Sequence, residues 1–297
     1  MKFLDLFAGI GGFRLGMEAA GHSCVGFCEI DKFARASYKA IHNTEGEIEL
    51  HDITKVRNEE VKEIGNIDVI CGGFPCQAFS VAGKRKGFED TRGTLFFEIA
   101  RFTSILKPKY LFLENVKGLL NHDKGRTFKT ILRALDELGY DVEWQVLNSK
   151  DFGVPQNRER VFIIGHLRGA SGRNIFPIEG ESSKYDNEQP KIDIVGNTKN
   201  PNGSSYGTGS VVYSPKGLIG TLCARDYKEP KQILVENSEH KVIIRRLTPR
   251  EYWRLQGFPD EAFKKAQKVN SNTQLYKQAG NSVTVNVIEA IAKRFEV

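Results

Sequence analysis

The feature that most limits the fold of this 297-residue chain is a repeated change of hydrophobic period through its first 165 residues. Short apolar runs of strand length alternate with stretches whose apolar residues recur every three or four positions. Residues 2–7 form the first run, and 11–21 follow with Phe13, Met17 and Ala20 at helical spacing. Residues 24–29 read as a strand, 31–42 as a helix opened by the acidic N-cap Asp31, and 68–72 as a strand. A helix over 94–106, a strand over 110–113, a helix over 126–138 ended by Gly139 and a strand over 161–165 complete the series. Such alternation predicts an α/β fold: a doubly wound, mostly parallel sheet with its sites at the carboxyl ends of the strands.

Between about 168 and 243 the texture changes. Residues 185–210 are rich in Asn, Gly, Ser and Pro, and the apolar clusters are short: Ile192-Asp193-Ile194-Val195, Val211-Val212-Tyr213 and Ile233-Leu234-Val235. This predicts a second, smaller β-rich domain. Helical spacing returns from Leu247 and ends in a final helix over 282–295. Charge follows the same division. Residues 1–150 hold 21 basic and 21 acidic side chains, so the whole excess of +6 lies beyond them. A basic second half suits a polyanion, although an ordinary solvated surface would look the same on charge alone. No stretch approaches the roughly 20 apolar residues of a membrane span, and Met1-Lys2 leads straight into a strand pattern. A cytoplasmic monomer is expected. Five cysteines without a C-x-x-C pair argue against both a disulfide framework and a zinc site. Cys24, Cys28 and Cys71 lie in apolar runs and read as small buried hydrophobes.

In Phe7-Ala8-Gly9-Ile10-Gly11-Gly12 the glycines close a strand and open a helix, which lets the backbone pass close beneath a ligand. Glu29, at the end of the next strand, is placed to accept hydrogen bonds from ribose hydroxyls. Three residues beyond Gly11 stands Arg14, so the dinucleotide pattern G-x-G-x-x-G is broken. A single-nucleoside cofactor such as S-adenosylmethionine fits better. Asp52 is either a receiver of an adenine amino group or a helix N-cap.

Cys76 follows an apolar run and sits in Gly72-Gly73-Phe74-Pro75-Cys76-Gln77, a turn that displays one thiol at the rim of the sheet. A cysteine nucleophile reacts as the thiolate, whose free pKa is about 8.5, so oriented amides or nearby cations must activate it. Gln77, Lys84, Arg85, Lys86 and Arg92 lie in the next loop, which reads as a lid touching phosphate or as a plain solvated loop. Glu114 closes an apolar strand, where a desolvated carboxyl stays protonated and can donate to a ring nitrogen, with Asn115 to brace it. Arg158 and Arg160 alternate ahead of the strand at 161, which puts both guanidiniums on one face.

These segments match a known pattern. The chain resembles a cytosine-C5 DNA methyltransferase of the bacterial restriction-modification type over about residues 2–166 and 245–297. The motifs run in family order: Asp5-Leu6-Phe7-Ala8-Gly9-Ile10-Gly11-Gly12-Phe13, Glu29-Ile30-Asp31, Asp52-Ile53-Thr54, and Gly73-Phe74-Pro75-Cys76-Gln77-Ala78-Phe79-Ser80. Lys86-Gly87-Phe88-Glu89-Asp90-Thr91-Arg92-Gly93, Glu114-Asn115-Val116, Gln156-Asn157-Arg158-Glu159-Arg160, Arg246-Leu247-Thr248-Pro249-Arg250-Glu251 and Gly280-Asn281-Ser282-Val283 follow.

The resemblance implies that a cytosine is rotated out of duplex DNA into the pocket and that Cys76 adds to its C6. Glu114 would contact N3 and the exocyclic amine, Arg160 would hold the base carbonyl, and Arg158 would support the carboxyl. S-adenosylmethionine, leaving as S-adenosylhomocysteine, would lie against Phe7, Ala8, Gly9, Ile10, Gly12, Glu29, Ile30, Asp52, Ile53, Pro75, Leu95, Asn281 and Ser282. Residues 1–167 and 277–297 would form the catalytic, cofactor-binding domain, and 168–276 the target-recognition domain with its hinge. Arg225, Lys228 and Lys231 are its candidates for DNA contact, or side chains that merely solvate it. A cognate endonuclease acting separately is a possible partner, and a bacterial or phage source is implied. A tRNA methyltransferase of the same superfamily would keep the chemistry and change the substrate. A nicotinamide-dependent oxidoreductase is disfavoured by the missing third glycine, and a DNA-binding module with a dead site by the intact Pro75-Cys76 and Glu114.

Overall fold

The structure is a computed structural model that describes residues 1–75, 95–170, 174–180, 191–199, 210–236 and 240–295. Its first half alternates strand and helix: β1 (Lys2–Leu6), α1 (Gly12–Ala19), β2 (Ser23–Cys28), α2 (Lys32–Ile41), β3 (Ile48–Leu50), α3 (Asn58–Glu63) and β4 (Val69–Gly73), of which β3 and α3 are additions to the elements the periodicity predicts. Then come α4 (Leu95–Leu106), β5 (Tyr110–Val116), α5 (Arg126–Glu137), β6 (Tyr140–Asn148), the two-residue β7 (Gln156–Asn157) and β8 (Glu159–Leu167). Seven of these strands form one sheet in the order β3-β2-β1-β4-β5-β8-β6. The first five run parallel, and β8 lies antiparallel to both β5 and β6.

Side chains on a strand alternate between faces, and both faces of this sheet are buried. Leu4, Leu6, Ile70, Leu111 and Leu113 point to one side, against Val61 of α3, Ile99 and Phe102 of α4 and Ile131 and Leu135 of α5. Phe3, Val69, Cys71, Tyr110 and Phe112 point to the other, against Phe13 and Met17 of α1. The same face receives Val287, Ile288 and Ile291 from α9 (Val285–Ala292) near the end of the chain. Cys28 and Cys71 are buried as expected and Cys24 is partly so.

The second half holds a small sheet ordered β13-β12-β10-β9, built from β9 (Ile194–Asn197), β10 (Val211–Tyr213), β12 (Gln232–Glu236) and β13 (Val242–Arg246). The short β11 (Ile219–Gly220) pairs instead with β7. Three helices follow: α6 (Pro249–Arg254), α7 (Asp260–Gln267) and α8 (Asn272–Asn281). Thr248 caps α6 in a capping box with Glu251, with Pro249 in its first turn. A third apolar core joins Ile10, Ala34 and Ile41 to Tyr213, Leu222, Trp253, Phe263 and Leu275. It joins the second half of the chain to the loop after β1 and to α2.

Further elements depart from the periodicity. Strand β5 runs on through Glu114 and Asn115, because its antiparallel partner pairs Glu114 with Phe162 and Asn115 with Val161. Strand β6 is absent from the apolar pattern, since Asp141, Glu143 and Gln145 alternate along a sheet edge. There Glu143 accepts from the amides of Ile175 and Phe176, and Gln145 from that of Ile178. Strand β13 lies just before Leu247, where the periodicity gave no element, with Val242 and Ile244 exposed. The last helix is shorter than 282–295, because the segment before it is tied down by side chains: Thr284 bonds Ser149 at 2.8 Å and Gln256 at 2.9 Å.

Candidate active site

The strand order reverses beside β1, whose neighbours are β2 on one side and β4 on the other. A doubly wound sheet opens a crevice at such a switch point, outside the carboxyl ends of its strands. A cleft of about 390 Å³ lies there. Phe7, Gly9 and Ile10 line it from beyond β1, Glu29 and Asp31 from beyond β2, and Gly73, Phe74 and Pro75 from the end of β4. Glu114, Asn115, Arg158 and Arg160 complete one side, and Lys277, Gln278, Gly280, Asn281 and Ser282 the other.

At one end the glycine turn is set by backbone geometry. Gly11 has φ +82°, and a Cβ built there would lie 2.1 Å from Nε2 of His42. Phe7 holds φ +54°, a left-handed conformation rare for an aromatic residue. Glu29 Oε2 accepts from the Gly9 amide and Oε1 from the Asp31 amide, both at 2.8 Å. Burial raises the Glu29 carboxyl above its usual range, and these two amides work against that. A carboxylate offers about four acceptor positions. Two are filled by amides, and the rest suit a pair of hydroxyl donors in the cleft. Across the mouth, Asp31 Oδ2 meets Lys277 Nζ at 2.7 Å. Burial would raise Asp31, but Lys277 and the amides of Phe33 and Ala34 outweigh it and lower the carboxyl.

At the other end β4 pairs with β5 so that Gly73 stands beside Glu114. A Cβ on Gly73 would come within 3.1 Å of Glu114 Oε2. Asn115 Nδ2 donates to the Phe74 carbonyl at 2.8 Å. Asn115 thus braces the turn that leads to Cys76, where the sequence pointed to Glu114. Arg160 Nε lies 2.9 Å from Glu114 Oε1. Desolvation raises the Glu114 carboxyl; Arg160 and then Arg158 oppose it without restoring the ordinary value. Arg158 acts on Glu114 through its charge and not through a hydrogen bond. Its Nη1 donates to the Leu222 carbonyl at 3.0 Å and its Nη2 to the Ser282 carbonyl at 2.7 Å. Cys76, Gln77, Lys84, Arg85, Lys86 and Arg92 lie outside the described residues.

Comparison with known proteins gives this arrangement a family. The family model described as C-5 cytosine-specific DNA methylase matches residues 1–296. The chain belongs to that family. Type II methyltransferase M1.ScrFI of Lactococcus lactis subsp. cremoris is 44% identical over 99% of this chain and 77% of its own length. Type II methyltransferase M.HpaII of Haemophilus parainfluenzae is 40% identical, covering 98% of this chain and 88% of its own. In fold, the chain is similar to the Entamoeba histolytica methyltransferase EhMeth, with TM-score 0.70 at 19% identity over 98% of this chain and 96% of that one.

This DNA (cytosine-5-)-methyltransferase brings Phe7, Gly9, Ile10, Glu29, Pro75, Asn281 and Ser282 together from the expected cofactor set. Ala8, Gly12, Ile30, Asp52, Ile53 and Leu95 do not line the cleft. Ile30 is 68% exposed at the surface. Asp52 is a 3-10 helix N-cap, its Oδ1 accepting from the Thr54 amide and hydroxyl. Arg225 and Lys228 are exposed, as a DNA contact requires. Lys231 is not. Only 1% of it is accessible, with Nζ 4.0 Å from Asp226 and over the Tyr213 ring, so it is an internal group. Its burial follows from Tyr252, whose hydroxyl takes the Lys231 amide and pulls the backbone inward. The sequence reading also missed Lys277. It stands one helical turn before Asn281, an i, i+4 spacing that was the available signal. Among the described residues no helix is long and apolar enough to cross a membrane.

Proposed function

We propose that this protein transfers the methyl group of S-adenosylmethionine to C5 of a cytosine turned out of a short duplex DNA sequence, through a covalent bond between Cys76 and C6. The observation that carries this reading is the sharing of one cleft. The Glu29 carboxylate, with acceptor positions to spare, faces one end. Glu114, Arg160 and the Pro75 turn leading to Cys76 face the other. S-adenosylmethionine fits the first end, where Glu29 would take its ribose hydroxyls and Phe7, Gly9, Ile10, Asn281 and Ser282 would surround it. When bound, it supplies an electrophilic methyl group.

A cytosine ring is a poor methyl acceptor until a nucleophile adds to it. The Cys76 thiolate adds to C6 while Glu114, whose carboxyl burial raises toward the protonated form, donates to N3. The electron pair displaced from C6 then resides on C5 as an enamine, which becomes nucleophilic. C5 takes the methyl as S-adenosylhomocysteine leaves; loss of the C5 proton to solvent then re-forms the C5–C6 double bond, the thiolate departs, and the N3 proton returns to Glu114. Arg160 is placed to hold the base carbonyl while keeping Glu114 in line. We assign chemistry and cofactor binding to residues 1–167 and 277–297, and target reading to 168–276, with Arg225 and Lys228 as its DNA contacts. The separate occurrence of type II methyltransferases among the relatives supports a restriction-modification setting, with a free endonuclease as functional partner.

Incubation of the protein with labelled S-adenosylmethionine and either duplex DNA or tRNA tests the substrate. Label in DNA alone is expected, with bisulfite sequencing placing it at one recurrent site. Label confined to tRNA, or to no nucleic acid, would overturn the reading.

A further inference from the structure

Arg158 is 3% exposed and spends the ends of its guanidinium on backbone carbonyls beside the cleft. Its backbone is fixed from both sides, its amide donating to Asn148 Oδ1 and its carbonyl accepting from the Ser149 amide. From that base the guanidinium fans across two loops distant in sequence. Nη1 reaches Leu222 of the recognition segment, and Nη2 reaches the carbonyls of Ser282 and, at 3.4 Å, Gly280. The two loops also touch each other directly. A Cβ built on Gly280 would fall 2.3 Å from the Cys223 carbonyl carbon and 2.4 Å from the Ala224 nitrogen.

The recognition side of this contact is stiff. Leu222 donates its amide to Gln156 Oε1 at 3.0 Å, Thr221 Oγ1 donates to the Asn157 carbonyl at 2.8 Å, and β11 pairs with β7. Asp226 then accepts from the Cys223 amide at 3.1 Å and from the Tyr252 hydroxyl at 3.2 Å, which locks the single 3-10 turn Ala224–Tyr227. Arg225 and Lys228 project from that turn, and Asn281 lies between the two carbonyls held on the other side. A buried cation tolerates little loss of its acceptors, so displacement of either loop is felt by the other through Arg158.

We propose that Arg158 is a positioning residue that couples the two binding events of the enzyme. Order imposed on the loop at 280–282 by the cofactor is passed to the turn at 224–227, and DNA on that turn favours cofactor in return. This inference rests on the cofactor and DNA sites proposed above.

The test is a thermodynamic cycle on the full chain, with S-adenosylhomocysteine and a duplex carrying the site mapped by bisulfite sequencing. In the unaltered protein, saturating duplex lowers the S-adenosylhomocysteine Kd by roughly tenfold, and the ligand lowers the duplex Kd by the same factor, since coupling is reciprocal. Arg158→Lys keeps the charge but not the fan of donors, and the factor falls toward one. A loss of fold alone would weaken both affinities without changing their ratio. Hydrogen exchange on the unaltered protein reads the same link without any substitution: S-adenosylhomocysteine slows exchange of the amides at 222–228, which it does not touch. A coupling factor preserved in Arg158→Lys, or unchanged exchange at 222–228 on ligand binding, would overturn the proposal. Failure of the unaltered protein to bind S-adenosylhomocysteine would instead refute the cofactor site, and this inference with it.

Discussion

Acid should destabilise this protein from beneath the glycine turn that follows β1. His42 packs under Gly11, its ring 4.6 Å from that of Tyr38 and its Nε2 3.4 Å from the Ile10 carbonyl. Burial lowers its pKa to about 3, with Arg14 and Lys265 adding to the effect and the Ile10 carbonyl opposing it. In the unfolded chain the same imidazole titrates near 6.5. Above that pH neither state binds the proton and the fold bears no cost. As pH falls from 6.5 toward 3, only the unfolded state is protonated, so stability is lost progressively. At pH 5.0 the gap is about 1.5 units, and at 1.36 kcal/mol per unit the loss is about 2 kcal/mol. In a domain of this size that lowers the melting temperature by about 4 °C. His22, whose pKa burial also lowers, acts in the same direction, so the His42 share must be isolated by substitution. Melting curves of the unaltered protein and His42→Gln, recorded at pH 7.5 and 5.0, provide it. The variant should lose about 4 °C less on acidification, whatever its melting point at pH 7.5. Equal losses would show that His42 is not held neutral and would refute the argument.

Two further outcomes follow from the cleft. Glu114→Gln keeps the shape of the side chain but cannot give up a proton, so kcat should fall by about 10²- to 10⁴-fold with duplex binding retained. Because its carboxyl is raised and acts in the protonated form, activity of the unaltered protein should decline as pH rises through that shifted value. The variant should lack this limb, and a profile of unchanged shape would contradict the role. Lys277→Met removes the ion pair with Asp31 at the cleft mouth. It should raise the KM for S-adenosylmethionine while leaving kcat nearly unchanged, and a fall in kcat alone would place Lys277 in the chemistry instead.

The sheet was legible because parallel strands buried on both faces are written as uninterrupted apolar runs, as Val69-Ile70-Cys71 and Leu111-Phe112-Leu113 are. Strand β6 was not, since an edge strand can carry Asp141, Glu143 and Gln145 without penalty and owes its place to partners from the distant segment at 175–178. Within the site, Glu29 and Glu114 stood out as carboxyls ending apolar runs, a placement that demands a purpose. The division of labour among their neighbours did not. Whether Arg158 or Arg160 meets Glu114 depends on the register of β5 and β8, which sets Val116 opposite Arg160, and no spacing rule encodes that pairing. Lys231 failed for a related reason: a lysine between Pro230 and Gln232 reads as surface until the fold brings Tyr252 and Asp226 against it.

The claim on which the mechanism turns is a bond between the Cys76 sulfur and C6 of the target cytosine. A duplex with 5-fluorocytosine at the methylated position measures it most directly, because fluorine at C5 cannot leave as a proton does and the enzyme stays attached after transfer. Incubated with S-adenosylmethionine, the protein should form a species stable to denaturant, with a protease fragment carrying the modified base on Cys76. Methylation of the ordinary duplex with no such adduct, or an adduct on another residue, would contradict the account.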